Sequence, residues 1–417
     1  MMTEKHLTLL CQLLNDTQGN ASERTQLQYL ANAEWEQIIN LAGQHGILPI
    51  LYRRIKALDE PLNIPEAASQ RLHTAYLTNA TRNTLFLHEG GIIFKALKDA
   101  GIPAIGLKGL FLLENIYQDI GLRQMSDLDV MLHKTHIPQV FNILDALGYQ
   151  PTTYFDIRNE NFDIKHVPPL LKPQGPYYLE LHWTILEEDE PFTIDAAGLW
   201  ERALPAKIAG VDALALSPED LVLHLSLHLA YQHHLKLGLR GLYDVAVTLR
   251  HFQEQLNWDK LVEIAHTLGA TRVLRLTLTL AEELLGAPIP SEIWAQVRSE
   301  TFEPWVIEEA RRQLLNREHA TAAITPDLAK FAQEGGIFTR IQHIWQRIFL
   351  PKVTLARLYN VPPTSLRIYA CYFRRLGDLI KAYAPTVKRI LKADKAVFED
   401  VKKEQSNKDL KNWMVKD

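Results

Sequence analysis

Cysteine is almost missing from this chain: two residues of 417, Cys11 and Cys371. So low a count excludes a disulfide framework and any zinc site built on cysteine ligands. Long apolar runs are missing too, and none approaches the roughly 20 residues that a bilayer-spanning helix needs. Met1-Met2-Thr3-Glu4-Lys5-His6 opens into an amphipathic stretch, not the apolar core of a secretory leader. The expectation is a cytoplasmic protein. Nor is there an excess of one charge, since 45 Lys and Arg face 49 Asp and Glu for a net charge of −4. Proteins that grip nucleic acid over a broad surface carry a basic field. Its absence argues against tRNA or DNA as the main partner, while a small nucleotide needs only a local cluster. The sequence has no internal repeat and no low-complexity tract.

What is present suits a globular protein with an ample core: 47% hydrophobic and 23% charged residues. The length predicts two or three packed units. The first hundred residues read as helices. Leu7, Leu9, Leu10, Leu13 and Leu14 form one stripe, and Trp35, Ile38, Ile39 and Ala42 a second that ends near Gly46 and Pro49. From Pro65 to Ala100 the pattern is a long helix, or a pair broken at Gly90-Gly91.

The texture then changes. Pro103 to Leu107 is a short apolar run after a turn and reads as a buried strand; Leu110 to Tyr117 reads as a helix. Asp127 to Leu132 alternates, with Asp127, Asp129 and Met131 on one face and Leu128, Val130 and Leu132 on the other. Ile137 to Leu147 is a helix closed by Gly148. Tyr177 to Thr184 alternates again, with Tyr178, Glu180 and His182 on one face. Helix and strand alternate only between about Ile93 and Thr184, which marks an α/β unit. From Ser217-Pro218 onward the chain reads helical, with prolines from Pro288 to Pro363 (Pro326 among them) dividing the helices. The tail after Lys392 alternates charges and reads as flexible.

Three pieces of this middle region fit one chemistry. Gly106-Leu107-Lys108-Gly109 is a strand-to-helix junction, where glycine permits close backbone approach and free N–H groups meet phosphate oxygens. Ser126-Asp127-Leu128-Asp129 projects two carboxylates from one strand face, roughly 6–7 Å apart at their Cα atoms, a spacing that suits magnesium. Glu180 supplies a third carboxylate on a neighbouring strand, which two-metal phosphoryl-type transfer commonly uses.

The runs Leu107-Lys108-Gly109, Tyr117, Gly121-Leu122-Arg123-Gln124-Met125-Ser126-Asp127-Leu128-Asp129 and Leu179-Glu180-Leu181-His182-Trp183 resemble a bacterial family of largely uncharacterised nucleotidyltransferases, within the polymerase β-like nucleotidyltransferase superfamily. Leu239-Arg240-Gly241-Leu242-Tyr243-Asp244 resembles a helical segment of the same family. The resemblance covers about Ala104 to Arg250. It implies a mixed-sheet α/β core, Mg2+ (or Mn2+), and a nucleoside triphosphate donor. By position it makes Asp127 and Asp129 metal ligands with Glu180 as third carboxylate, and brings Lys108 and Gly109 to the triphosphate, flanked by Arg123 and Ser126. The wider superfamily usually has Gly-Ser or Gly-Gly at this turn, where this chain has Lys-Gly. The implied reaction is attack of an acceptor hydroxyl or phosphate on the α-phosphorus, with pyrophosphate leaving. The acceptor is expected to be a small molecule, a sugar or a peptide. A fold that binds nucleotide without turnover is the alternative.

His224 and His228, at i and i+4, with His233-His234 behind them, form a cluster with zinc-ligand spacing. It reads as a rival metallohydrolase site, as lining of a cleft between the core and the helical domain, or as plain packing. His182, His228, Arg240 and Asp244 are the acceptor-side candidates, with Arg240 and Asp244 expected to pair across a helix surface or between domains. Residues 340–392 hold eleven Lys and Arg against one acid, Asp378, with aromatics interleaved. That stretch reads as contacting an anionic partner, nucleic acid or membrane surface, or as packing on acidic parts of the protein. The expected fold is α+β: a helical region 1–92, a nucleotidyltransferase core 93–216, a helical domain 217–392 and a flexible tail 393–417.

Overall fold

A computed structural model describes residues 2–15, 27–59, 61–153, 167–173, 175, 177–186, 190–297, 303–316, 345, 348–391 and 395–415. Pro326, part of the basic stretch (340–344, 346, 347 and 392) and the tail positions 393, 394, 416 and 417 lie outside these residues. The chain forms two compact units. The first takes in Met1–Gln150, Asp163–Arg317 and Trp413–Asp417, and the second Pro151–Phe162 and Glu318–Asn412.

The first unit opens with helices α1 (Met2–Leu14), α2 (Asn32–Gln44), α3 (Leu48–Lys56) and α4 (Glu66–Asp99). Strand β1 (Ala104–Gly106) leads into α5 (Lys108–Phe111), which continues as a π-helical turn, Leu112–Tyr117. Then come β2 (Asp127–Leu132), α6 (Ile137–Ala146), β3 (Gln150–Pro151), β4 (Leu170–Lys172), β5 (Tyr177–His182), α7 (Ala196–Glu201), β6 (Leu204–Ile208) and β7 (Val211–Ala215). Helix α8 (Pro218–Ser226) runs on as a π-helical turn, Leu227–Gln232, and is followed by α9 (Gly238–His251), α10 (Trp258–Leu268), α11 (Thr271–Leu285), α12 (Ser291–Val297) and α13 (Pro304–Leu315). The remaining helices are α14 (Lys352–Tyr359), α15 (Arg367–Leu391) and α16 (Lys395–Met414).

The seven strands form one mixed sheet in the order β3-β4-β5-β2-β1-β7-β6. β2 runs antiparallel to β1 and parallel to β5, and that second pairing sets Asp129 opposite Glu180 and Met131 opposite His182. Alternation then puts Asp127, Asp129, Glu180 and His182 on one sheet face. Helix α4 covers the other face, where Leu128 approaches Gly90.

Of the two readings of Pro65–Ala100 the single long helix holds, running unbroken through Gly90-Gly91 over 34 residues. The missing side chains serve close packing instead, since a Cβ on Gly91 would lie 3.1 Å from the Ala209 carbonyl and one on Gly90 3.0 Å from Leu110. Helix α2 ends at Gln44, just before Gly46, as its stripe predicts, and Pro49 stands in the first turn of α3, where a missing N–H costs nothing. The region before Ser217 ends in a hairpin that strand alternation did not disclose: β6 and β7 pair across Ala209-Gly210, both at positive φ, as a two-residue hairpin turn requires. The tail carries α16 rather than a frayed end, and Trp413 and Met414 are buried. Arg272 holds Trp413 through its ring, 5.2 Å from the centroid, and through its carbonyl. Ser217 caps α8 as its position predicts, its side chain accepting from the Asp220 N–H.

Candidate active site

The site grows from the N-terminal half of β2. Asp129 is 1% exposed, and its Oδ1 accepts from Lys108 Nζ at 2.7 Å, with His182 Nε2 at 3.0 Å. The same His182 nitrogen lies 3.4 Å from Glu180 Oε2. Burial would raise the Asp129 pKa, but Lys108 and His182 outweigh it and hold the carboxyl far below its ordinary range. Burial likewise opposes the Lys108 ammonium, yet Asp129, Glu180 and Asp127 around it keep its pKa above the usual value. Glu180 is lowered, first by its hydrogen bond to His182. Asp127 is raised, by burial and then by the charge of Asp129, with Lys108 opposing. Ser126 donates to Asp127 at 3.1 Å.

Among the described residues, Asp129, Glu180 and His182 form a group whose ligand atoms all lie within 4.8 Å of one another. Two carboxylates and an imidazole are a fitting donor set for a divalent cation. The ligand set read from the sequence was Asp127, Asp129 and Glu180; here Asp127 stands beside the group and His182 within it. His182 had been placed on the acceptor side. Alternation already puts residues 180 and 182 on one face; the pairing of β5 beside β2 is what brings His182 to Asp129.

Lys108, expected to meet a triphosphate, is ion-paired to Asp129, and its backbone has φ +41°. Gly109 does not border open space. A Cβ there would lie 2.9 Å from both Arg123 Nη1 and Met125 Sδ, so this glycine lets the loop 118–126 pass close to α5. Arg123, expected to flank the nucleotide, is buried in a two-pronged ion pair with Asp244, at 2.9 and 3.0 Å. Tyr117 donates to the same carboxylate at 2.7 Å. Burial lifts the Tyr117 pKa well above its usual value, with Asp244 adding to the effect. The expected Arg240–Asp244 pair is therefore replaced. Asp244 faces inward to Arg123 and Tyr117, while Arg240 donates to the Gln124 carbonyl at 3.2 Å. Helical spacing brings 240 and 244 near one another, but burial gave the carboxylate to the deeper guanidinium.

The loop carrying Arg123 is held by α4. Tyr76 donates to Asp119 at 2.9 Å, Asn79 to the Gly121 carbonyl at 2.7 Å, and Asn83 to the carbonyls of Ile120 at 2.6 Å and Arg123 at 2.7 Å. Positions 76, 79 and 83 share one helix face. None of these three was marked in the sequence, where two asparagines in a helix carry no functional signal.

His228 rings lie 6.0 Å from His224 and 4.4 Å from His233, and its Nδ1 is 3.1 Å from Gln232 Oε1. Burial, then Lys108 and the neighbouring histidines, push its pKa well below the ordinary value, so it is neutral beside the site. Among the described residues these histidines form no metal-holding group, and the zinc reading of that cluster gains nothing. A separate groove of about 660 Å³ lies past the C-terminal ends of β2 and β5. There His133 stacks on Trp200 at 3.8 Å, and Lys134 lies over Trp183 at 5.5 Å. None of Asp127, Asp129 or Glu180 lines it.

Comparison with known proteins found no match among curated proteins and none among solved structures. A family model described as uncharacterised nucleotidyltransferase matches residues 31–286. That span covers more than half of the chain, from α2 through β2 and β5 to the end of α11, and includes every residue of the acidic cluster together with Lys108, Arg123 and Asp244. The chain belongs to this family of uncharacterised nucleotidyltransferases.

Proposed function

We propose that this nucleotidyltransferase moves a nucleoside monophosphate from a triphosphate to an acceptor hydroxyl or phosphate at the face formed by Asp127, Asp129, Glu180 and His182, on a polymerase β-like core. The observation that carries this is the gathering of Asp129, Glu180 and His182 ligand atoms within 4.8 Å on one sheet face, beside Asp127. A divalent cation there, Mg2+ or Mn2+, would neutralise charge on the phosphates.

The chain's own groups then divide the work. The acceptor oxygen attacks the α-phosphorus, the bond to pyrophosphate breaks, and the acceptor's proton is taken up at the carboxylates. Lys108 is the nearest cation to the cluster and serves the phosphates once it leaves Asp129. Ser126 orients Asp127. Arg123 and Gly109 act through the shape of the loop 118–126, and Asp244 with Tyr117 keeps Arg123 in place. His182 holds Glu180 and Asp129 in register, while His228 and Arg240 border the same space. The acceptor is a small molecule, a sugar or a peptide.

Nucleotide binding without turnover is a second reading, favoured by one observation: the Lys108 ammonium already balances the Asp129 charge. Thermal shift with each triphosphate, with and without Mg2+ or Mn2+, tests binding, and release of pyrophosphate from labelled triphosphate tests turnover. Asp129→Asn is expected to cost at least about a hundredfold in turnover, about 2.7 kcal/mol, while the variant remains folded by circular dichroism. Wild-type turnover in that variant would remove the cluster from the reaction.

A further inference from the structure

The second unit presents a surface that the transferase chemistry does not use. Its core is small: Leu355 and Ala356 of α14 against Ile368 and Cys371 of α15, with Tyr359 and Tyr372 partly buried around them. Helix α15 spends one face on that core. On another face Leu366, just before its first turn, and Tyr369, Phe373, Leu376 and Ile380 follow at spacings of three and four residues and are all exposed; Leu366 is 85% and Phe373 80% exposed. Such spacing makes one continuous apolar stripe. Beside it Arg367, Arg374 and Lys381, seven residues apart and all exposed, form a column of positive charge. Asp378 is the one acid of the helix. Nine of the sixteen large apolar side chains that are exposed among the described residues fall between Trp345 and Ile380.

We propose that this face of α15 docks on an anionic phospholipid surface, lying in the plane of the headgroups with the stripe inserted and the basic column on the phosphates. Charge decides among the occupants. A second copy of this chain packed on a stripe of three-four spacing would set one basic column against another, where paired helices use flanks of opposite sign. Nucleic acid would engage the column and leave Leu366, Leu376 and Ile380 in water. An anionic bilayer satisfies both features, because apolar insertion and attraction of Lys and Arg to the surface act together. No helix among the described residues is long and apolar enough to cross a membrane.

Co-sedimentation of the full chain with phosphatidylcholine vesicles, with and without phosphatidylglycerol, tests this. Binding is expected only where phosphatidylglycerol is present, and is expected to weaken as salt rises. Phe373→Ser with Leu376→Ser, and separately Arg374→Gln with Lys381→Gln, should each weaken it about tenfold or more. These positions are exposed, so the circular dichroism spectrum and triphosphate turnover should match the parent chain. No binding to phosphatidylglycerol vesicles, or binding unaltered in both double variants, overturns the proposal. So does light scattering that shows a dimer which the Phe373/Leu376 variant abolishes. Binding of duplex DNA or RNA that only the Arg374/Lys381 variant weakens, without vesicle binding, would assign the face to nucleic acid instead.

Discussion

Asp244 does more for this site than its surface-like sequence context suggests. It receives the Arg123 guanidinium on both oxygens and the Tyr117 hydroxyl on one, all within a buried pocket. Removing one partner of a buried pair leaves the other charge unsolvated, which costs more than the pair itself contributes. Asp244→Asn is therefore expected to destabilise the protein by roughly 3–5 kcal/mol. Tyr117→Phe, which loses one hydrogen bond and no charge, should cost about 1 kcal/mol. Urea denaturation of the two variants checks the order, and equal losses would sink the argument. The same reasoning applies to Lys108 and Asp129. There the Lys108 ammonium lies among the carboxylates of Asp129, Glu180 and Asp127, and its charge opposes the burial that raises the two aspartates.

Between elements, α4 acts as the frame of the site. Its apolar residues Phe86, Ile93, Phe94 and Leu97 are buried, while Tyr76 holds the Asp119 side chain and Asn79 and Asn83 hold the loop 118–126 by its backbone carbonyls. Asparagine lowers helix propensity, so its buried placement here reflects what it binds rather than what it builds. Asn83→Ala removes the donor to two carbonyls and is expected to cost about 1–3 kcal/mol. Because that loop carries Arg123 and ends at Ser126, turnover should also fall several-fold at a temperature where the variant is still folded. An Asn83→Ala chain with reduced stability and undiminished turnover would show that the loop needs no such frame. The glycines of α4 belong to the same scale. Gly90 and Gly91 let α5 and the β6–β7 turn approach, a contact that a larger residue would close.

At the scale of the molecule, the chain returns to its first unit at its very end. Trp413 and Met414 are buried there, and Arg272 on α11 holds Trp413 by ring and carbonyl. Trp413→Ala is expected to lower stability by roughly 3 kcal/mol. A calorimetric transition shifted by several degrees would agree, whereas an unchanged transition would mean that the end of α16 adds nothing to the first unit.

Local pattern in the sequence determined the elements of the site. Alternation over Asp127–Leu132 and Tyr177–His182 placed the carboxylates on common faces, and the Ser217-Pro218 start of α8 was legible because a cap is decided by adjacent residues. The family, too, was legible in short runs of residues. Tertiary structure alone decided the pairings. Parallel addition of β5 to β2 set Glu180 against Asp129, and Lys108 turned to Asp129 rather than outward. Arg123 met a carboxylate 121 residues away in preference to nearer partners. The reason is physical: a side-chain period of two or 3.6 is a property of a few neighbouring residues. Which charge meets which is set by burial, since only in a low-dielectric interior does one ion pair outweigh all its alternatives.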